Sequence, residues 1–588
     1  MMETTAPGRR RHARARAGML LATLLPACAP TVAPDRPAAT TGFVAGDAAA
    51  GVPALAGHGM VVSASAIASD VGAQVLRDGG NAIDAAIATG FALAVTYPTA
   101  GNIGGGGFMV IRFADGTTTT FDFREKAPLA ADSLMFLDSL GEYSYDIHHR
   151  SHLAVGVPGT VAGFALAHER YGSREWRTLV EPSVALARDG FAMPAGLARS
   201  LAGVLNSMAP YRASAQQFSR NGTPYSQGEL FRQPDLGRTL QRIAHHGHDG
   251  FYRGETARLL ADDMRRNGGI ITERDLELYE AKERAPIRGT YRGYDVIGMP
   301  PPSSGGIAVV EMLNILEGYD LAAMGHNSAA YLHHLAESMR RAFRDRAQYV
   351  ADPDFVDVPV ARLTSKEYAA SLRSTIDPRR ATPSSVNDIV ADSESEHTTH
   401  YSVVDAAGNA VSVTYTLEQG YGSKITVPGA GFLLNNEMGD FNPRPGLTTE
   451  TGLIGTRPNL ARPQQRMLSS MTPTIVEKDG RLFAVIGSPG GRTIINTVLQ
   501  VVLNVVDFDM NVQQAVNAPR IHHQWLPDAL RIEEAGNDPE LLRALEAMGH
   551  EVSARGRQGT AHSIVMRADG MITGAPDPRD ADSGAAGY

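Results

Sequence analysis

Cysteine is nearly absent. The 588-residue chain has one, Cys28, which excludes a disulfide scaffold. No run of 18 uninterrupted apolar residues follows the N-terminal segment, so the body holds no candidate membrane-spanning helix. Positive charge does not dominate: 54 Lys and Arg stand against 63 Asp and Glu, a formal charge of −9, which argues against a nucleic-acid protein. Metal motifs are missing too. His148/His149, His245/His246 and His333/His334 come in adjacent pairs with no HExxH and no Cys partner, so they read as surface or internally satisfied histidines and no metal is expected. The glycine run 101–107 lacks both GxGxxG and Gly-Lys-Ser/Thr, so no nucleotide or other cofactor is expected. What remains is an ordinary globular composition, 43% apolar and 20% charged, long enough for one large or several medium domains.

The N-terminus stands apart. Arg9, Arg10, Arg11, Arg14 and Arg16 precede a short apolar run over 17–25, the pattern of an export signal. The run ends Leu25-Pro26-Ala27-Cys28, which resembles a bacterial lipobox with Cys28 as the lipidated residue. An ordinary secretory signal and an uncleaved anchor are the alternatives. Residues 1–27 are thus expected to be a signal peptide and 28–57 a flexible tether rich in Ala, Pro, Thr and Gly. The expected location is periplasmic or lipid-anchored on a bacterial membrane.

Folding is expected to begin near residue 58. Residues 60–64 read as a strand, Ser69 as the N-cap of a helix to Arg77, and Asn81 as the cap of a second helix ended by Pro98. That second helix is apolar nearly all round and should be buried. The glycines from Gly101 to Gly107 imply close backbone packing against chain or substrate. Residues 108–113 and 117–123 form a hairpin ending at Arg124 and Glu125. Residues 155–390 are mostly helical in pattern, and 376–397 are polar enough to predict a mobile segment.

The chemistry concentrates in the C-terminal third. Thr398 to Val404 and Ala410 to Leu417 flank turn residues and predict a β-hairpin. Centring the turn on residue 407 pairs positions whose numbers sum to 814, so Thr398 faces Thr416 within reach of a hydroxyl–hydroxyl hydrogen bond. Threonine also belongs in strands for its shape alone. A second hairpin, over 474–476 and 482–486, runs into Gly487-Ser488-Pro489-Gly490-Gly491 and then a helix. Gly490 and Gly491 therefore sit before a helix N-terminus, where backbone N–H groups can hold an oxyanion or merely make a tight turn. Asn435-Asn436-Glu437-Met438-Gly439-Asp440, after an expected strand over 431–434, is too rich in acids and amides for a simple turn. Ser469-Ser470 and Glu418 lie nearby in sequence.

These motifs resemble the gamma-glutamyltransferase (gamma-glutamyl transpeptidase, glutathione hydrolase) family: Thr398-Thr399-His400-Tyr401-Ser402-Val403-Val404-Asp405, Leu434-Asn435-Asn436-Glu437-Met438, Leu468-Ser469-Ser470-Met471 and Gly487-Ser488-Pro489-Gly490-Gly491. The first half agrees through Gly101-Asn102-Ile103-Gly104-Gly105-Gly106-Gly107-Phe108, Phe123-Arg124-Glu125, Gly156-Val157-Pro158-Gly159 and Pro301-Pro302-Ser303-Ser304-Gly305-Gly306. The resemblance spans about residues 57–588. It implies an α/β fold, the four-layer αββα sandwich of N-terminal-nucleophile (Ntn) hydrolases. It also implies self-cleavage between His397 and Thr398 into a large piece (58–397 of the folded body) and a small piece (398–588) that stay together as a heterodimer.

By the same resemblance, Thr398 is the nucleophile and its freed α-amine the general base. Thr416 hydrogen-bonds the nucleophile, and Gly490 and Gly491 form the oxyanion hole. Arg124, Ser469 and Ser470 receive the substrate α-carboxylate, and Glu418, Glu437 and Asp440 face its α-ammonium. Some relatives carry amides at the first two acidic positions, so three acids make this end unusually anionic. The segment 442–466 is as long as in lid-bearing relatives, with Thr451 where some carry a lid tyrosine. The partners implied are glutathione and other γ-glutamyl compounds, with water, amino acids or peptides as acceptors. The runner-up is a glutaryl or cephalosporin acylase of the same fold; glutaryl lacks the α-amine, so the three acids would meet no cation. A non-enzymatic binding protein on this fold is disfavoured because every mapped position holds a suitable residue.

Overall fold

The computed structural model describes residues 42–388 and 398–588. Signal segment 1–27, Cys28, the first part of the tether and the cleavage residue His397 lie outside the described residues.

Two seven-stranded, mainly antiparallel sheets form the centre. One runs, in spatial order, through Gly584–Gly587, Met60–Ser63, Thr398–Val404, Ala410–Thr416, Gly106–Arg112, Thr118–Phe123 and Lys282–Arg284. The other runs through Ala54–Ala56, Ile572–Ala575, Ser563–Met566, Arg481–Ile486, Thr474–Lys478, Tyr294–Gly298 and Ile287–Tyr291. Strand alternation explains the layering, because successive side chains point to opposite faces. In the first sheet Val61, Met109, Ile111, Val403 and Val411 join the core with helices Ala66–Arg77, Ala82–Thr96 and Thr160–Tyr171. Their neighbours Met60, Val62, Phe108, Val110 and Val404 join the core with the second sheet, which helices Gly305–Leu316, Ala329–Tyr349 and Thr493–Val506 cover from outside. The result is the expected αββα sandwich.

Polar residues tie the two sheets where they meet. The Ser402 hydroxyl donates to the His562 carbonyl (2.8 Å), that of Ser412 to the Ile486 carbonyl (3.1 Å), and Arg112 pairs with Glu477 at 2.8 Å. Thr398 lies on this same alternating face, two residues from His400 and four from Ser402, at the end of a strand flanked by partners on both sides.

Several local readings need correction. The first helix is Ala66–Arg77, capped one turn earlier at Ser65. Ser69 lies inside it and donates instead to the Gly584 carbonyl at 2.8 Å. The tether reading fails for its last part: Ala54–Ala56 is an edge strand paired with residues 572–574, and Ala48 and Gly51 accept hydrogen bonds from Asn517 and Asn511. The largely helical stretch 155–390 contains three strands of the main sheets, Lys282–Arg284, Ile287–Tyr291 and Tyr294–Gly298. Residues 431–434 make one isolated bridge, Thr426 to Leu433, rather than a strand. In the polar segment 376–397, the described part is held: Ala381 donates to the Met548 carbonyl (2.7 Å), and Thr382 and Ser384 bond Glu337 and Asp528. Asn81 does cap Ala82–Thr96, through a capping box with Asp84, and every residue of that helix is buried.

Candidate active site

The hairpin puts Thr398 directly opposite Thr416, with Val404 opposite Ala410 closing the turn. The Thr398 and Thr416 hydroxyl oxygens are 3.4 Å apart. Thr416 Oγ1 also accepts from the Glu418 N–H at 2.8 Å, and its carbonyl accepts from Asn102 Nδ2 at 2.8 Å. Asn102 Oδ1 in turn accepts from Gly105 N–H and the Thr160 hydroxyl. The glycine run thus serves packing: a Cβ on Gly105 would lie 2.0 Å from the Thr416 carbonyl oxygen.

Thr398 is 8% exposed and borders two cavities. The smaller, about 20 Å³, is lined by Thr398, Thr416, Arg124, Glu418, Glu437, Asp440, Ser469, Ser470 and Gly491. The larger, about 620 Å³, is lined by Thr398, Gly490, Thr493 and three arginines. Gly490 and Gly491 have φ of 130° and 56°, left-handed values that favour glycine. They lead into helix Thr493–Val506, so one glycine borders each cavity beside the nucleophile.

Arg124 is 1% exposed. Its Nη1 donates to Glu437 and its Nη2 to Asp440; Nη2 also reaches the Leu468 carbonyl (3.0 Å) and Nε that of Met467 (3.3 Å). Glu125 lies 3.7 Å from Nη1. Burial lowers the Arg124 pKa, but Glu437, Asp440 and Glu125 outweigh it and hold the guanidinium charged. Burial pushes the Glu125 carboxyl up to about 8 against the pull of Arg124. Glu437 is raised for the same reason, with Glu125 and Glu418 adding repulsion. Glu418 adopts φ of 76°, a strained conformation for a residue with a side chain and one that clusters at functional sites. Its Oε1 lies 3.4 Å from His149 Nδ1.

A sequence profile of the gamma-glutamyltranspeptidase family matches residues 68–587. The chain belongs to this family. It is 49% identical over 539 residues to the glutathione hydrolase proenzyme of Escherichia coli (strain K12), covering 91% of this chain and 93% of that protein. It is 39% identical over 533 residues to the Acylase ACY 1 proenzyme of Pseudomonas sp. (strain SE83), covering 89% and 92%. Among solved structures, a cephalosporin acylase from Bacillus halodurans superposes with a TM-score of 0.81 at 26% identity, covering 95% of this chain and 99% of that one. Family membership makes this an enzyme of the Ntn-hydrolase fold.

Within that family frame, the residues singled out from sequence converge, but not all in the expected way. Arg124 and two of the three acids bond one another. Asn435 and Asn436 belong to the framework: Asn435 bonds Gly104, Gly156 and Glu437, and Asn436 bonds His149 and Gln419. Ser470 accepts from Arg346 Nη2 at 3.0 Å, and Arg346 Nε reaches Ser304, whose hydroxyl donates to the Ser469 carbonyl at 2.7 Å. Sequence reasoning missed Glu125, Asn102, His149 and Arg346 as parts of the site. Asn102 and Glu125 were inside quoted motifs; Arg346 carried no local signal. The segment 442–466 lines neither cavity; Thr451 is exposed and bonds Thr449. The base of that loop is anchored by Asn459, which donates to the Asp440 carbonyl and accepts from Leu468 N–H. Among the described residues no group of His, Cys, Asp and Glu is arranged to hold a metal.

Proposed function

We propose that this enzyme is a γ-glutamyltransferase and glutathione hydrolase that matures by cutting its own chain between His397 and Thr398. The observation that carries the reading is the convergence of Thr398, Arg124, Ser469, Ser470 and three carboxylates on one small cavity. The cut frees the Thr398 α-amine, whose ordinary pKa of about 7.7–8.0 suits a general base near neutral pH. The amine takes the Thr398 hydroxyl proton as Oγ1 attacks the γ-carbonyl. Thr416, fixed by Asn102 and the Glu418 N–H, orients that hydroxyl, and Gly490 and Gly491 support the oxyanion. The C–N bond breaks and the amine product leaves with the proton. Water or an amino group then attacks the ester, giving hydrolysis or transpeptidation.

Recognition works as an ion-pair exchange. The substrate α-carboxylate takes guanidinium donors now held by Glu437 and Asp440, and the α-ammonium gives those acids a new partner. Charge in the buried cluster is conserved, which keeps the exchange affordable in low dielectric. A glutaryl group brings the carboxylate without the ammonium, so it leaves acids unpaired. This favours γ-glutamyl substrates over the acylase reading.

The two pieces stay together because their strands interleave: Thr398–Val404 lies between Met60–Ser63 and Ala410–Thr416, and Ala410–Thr416 pairs with Gly106–Arg112. Separation would tear both sheets. The basic and apolar N-terminal segments with Cys28 support export and a lipid anchor on the periplasmic side. Assaying γ-glutamyl and glutaryl anilides side by side tests the reading. At least a 10-fold preference for γ-glutamyl is expected, from roughly 1–3 kcal/mol or more per unsatisfied buried group; equal kcat/KM moves the enzyme to the acylases.

A further inference from the structure

The three acids of the small cavity are held differently. Arg124 bonds Glu437 and Asp440. Beside Glu418 stands His149, whose Nδ1 lies 3.4 Å from the Glu418 Oε1. His149 belongs to the short helix Tyr145–Arg150 and is buried. Its ring stacks on Tyr145, with centroids 4.3 Å apart.

Several contacts build this meeting of imidazole and acid. Gly439 lies between Glu437 and Asp440, and a Cβ there would come within 2.4 Å of His149 Nδ1 and 3.3 Å of Glu418 Oε1. Glycine at 439 therefore admits the ring. Asn436 ties the two backbones: its Nδ2 donates to the His149 carbonyl and its Oδ1 accepts from Gln419 N–H, both at 3.1 Å. Gln419 Nε2 donates to the Tyr145 hydroxyl at 3.0 Å and lies 3.5 Å from His149 Nδ1. Nδ1 thus has two alternative partners. Carrying a proton, it faces the Glu418 carboxylate; without one, it can accept from the Gln419 amide. The other charged groups around the pair are accounted for. On the same helix, burial with added repulsion from His149 holds the His148 imidazole well below the usual range, and His148 Nε2 bonds the Met438 carbonyl at 2.9 Å. Asp146 and Arg150 pair with each other on the exposed side at 3.0 Å. From the loop beyond Glu418, Lys424 donates to the Gly422 carbonyl at 2.7 Å; burial pushes its ammonium down to about 8, with Glu418 pulling the other way.

We propose that His149 is a proton-operated stand-in for the substrate ammonium: its protonated ring pairs with Glu418 in the empty site, and its neutral ring yields that acid to the α-ammonium. The inference rests on the γ-glutamyl reading and deepens it by adding a pH dependence to donor recognition. When a γ-glutamyl group binds at acidic pH, the Nδ1 proton leaves for solvent, Nε2 keeps its own, and Nδ1 accepts from Gln419. Glu418 exchanges one cation for another, so the buried cluster keeps its charge balance. His149 touches Glu418 and not the substrate; it is a positioning residue that acts on specificity. Protons and the α-ammonium compete for the same carboxylate, so affinity for a γ-glutamyl group falls as pH falls. A glutaryl group has no ammonium and does not enter this competition.

The test uses matured enzyme and L-glutamate, which carries both charges, as a competitive inhibitor of γ-glutamyl anilide cleavage. Its Ki is measured at about pH 5.5 and about pH 7.5, a range in which an imidazole changes charge. The rise in Ki on acidification should be about fivefold larger in the wild type than in His149→Gln, whose amide keeps a donor and an acceptor but takes up no proton. Comparing the rise within each protein cancels the titration of Glu125, Glu437 and the Thr398 α-amine, and any overall loss of affinity in the variant. Glutarate, without the ammonium, should show the same rise in both proteins. His149→Asn gives the same comparison if the glutamine variant matures poorly. An equal rise for glutamate in wild type and variant, or an excess rise in the wild type for glutarate as large as that for glutamate, overturns the proposal. The anilide separates the two readings. If the wild type cleaves it while the glutamate rises are equal, the His149 assignment fails and the γ-glutamyl reading stands; if it is not cleaved, the γ-glutamyl reading itself fails.

Discussion

Replacing Arg124 by alanine tests both stability and recognition, and the structure separates the two. The guanidinium serves Glu437, Asp440 and two backbone carbonyls, with Glu125 at 3.7 Å. Removing it leaves buried carboxylates facing one another without a cation. Breaking a buried pair by deleting one partner costs about 3–5 kcal/mol, so Arg124→Ala should lower the thermal midpoint clearly. It should also cost about 10–150-fold in kcat/KM on a γ-glutamyl anilide, the worth of a charge-assisted hydrogen bond of roughly 1.5–3 kcal/mol. The double variant Arg124→Ala/Glu437→Gln distinguishes the two losses. It removes one repelling charge, so part of the thermal midpoint should return while kcat/KM stays low. Thermal melts and steady-state kinetics on matured protein read both. Full recovery of kcat/KM in the double variant would assign Arg124 to structure alone. An unchanged melt in Arg124→Ala would refute the buried-charge argument.

Three further outcomes are expected. Thr398→Ala should remain one uncut, inactive chain on a denaturing gel; two fragments would show that another group cuts the bond. Asp440→Asn should slow the γ-glutamyl anilide more than the glutaryl one, and an equal effect on both would remove the ammonium role. Acid should destabilise the fold through buried histidines: burial depresses His522 to about 3 and His523, His550 and His562 to about 4. Each contributes stability that is present above the unfolded value near 6.5 and lost as pH falls toward 4, about 2 kcal/mol by pH 5. Glu125 and Asp580, pushed up by burial to about 8 and about 6, act in the opposite direction. His550→Asn should therefore flatten the fall of the denaturant midpoint between pH 7 and 5, and an unchanged slope would exclude this histidine as a source.

Legibility followed the range of the interaction. The pairing of Thr398 with Thr416 was readable because a hairpin register depends only on its turn, and residues 405–409 are turn material between two β-branched runs. The cap at Asn81 was readable for the same reason: the capping box lies within four residues. Ser65 and Ser69 are one helical turn apart, and sequence alone could not choose between them. The choice is made by a tertiary contact, Ala66 N–H to the Asp582 carbonyl at 2.9 Å. The hairpin Ile287–Tyr291 to Tyr294–Gly298 did leave a signal, Arg292-Gly293 with φ of 48° and 81°, a two-residue turn of the type that joins twisted strands. It was masked by the helical patterns on either side. Ala54–Ala56 left none, since a three-residue Ala-Leu-Ala stretch becomes a strand only by pairing with residues 572–574.

The candidate site shows the same division one level up. Motif recognition named the residues that line the small cavity, yet it assigned each a separate role toward a substrate. The structure couples them: Arg124 is bound by two of the three acids expected to meet the ammonium, Glu437 and Asp440, and Ser470 is held by Arg346 across 124 residues of sequence. Charge balance in a buried cluster is a property of the set, so no single residue's pattern reveals it. The third acid beside Arg124, Glu125, makes the point. It is fully buried, and burial pushes its carboxyl up to about 8, which favours its neutral form, so the working cluster is less anionic than a count of its carboxylates suggests. That moderates the repulsion within the cluster, and it explains how one arginine suffices to hold Glu437 and Asp440 until a substrate brings its own pair of charges.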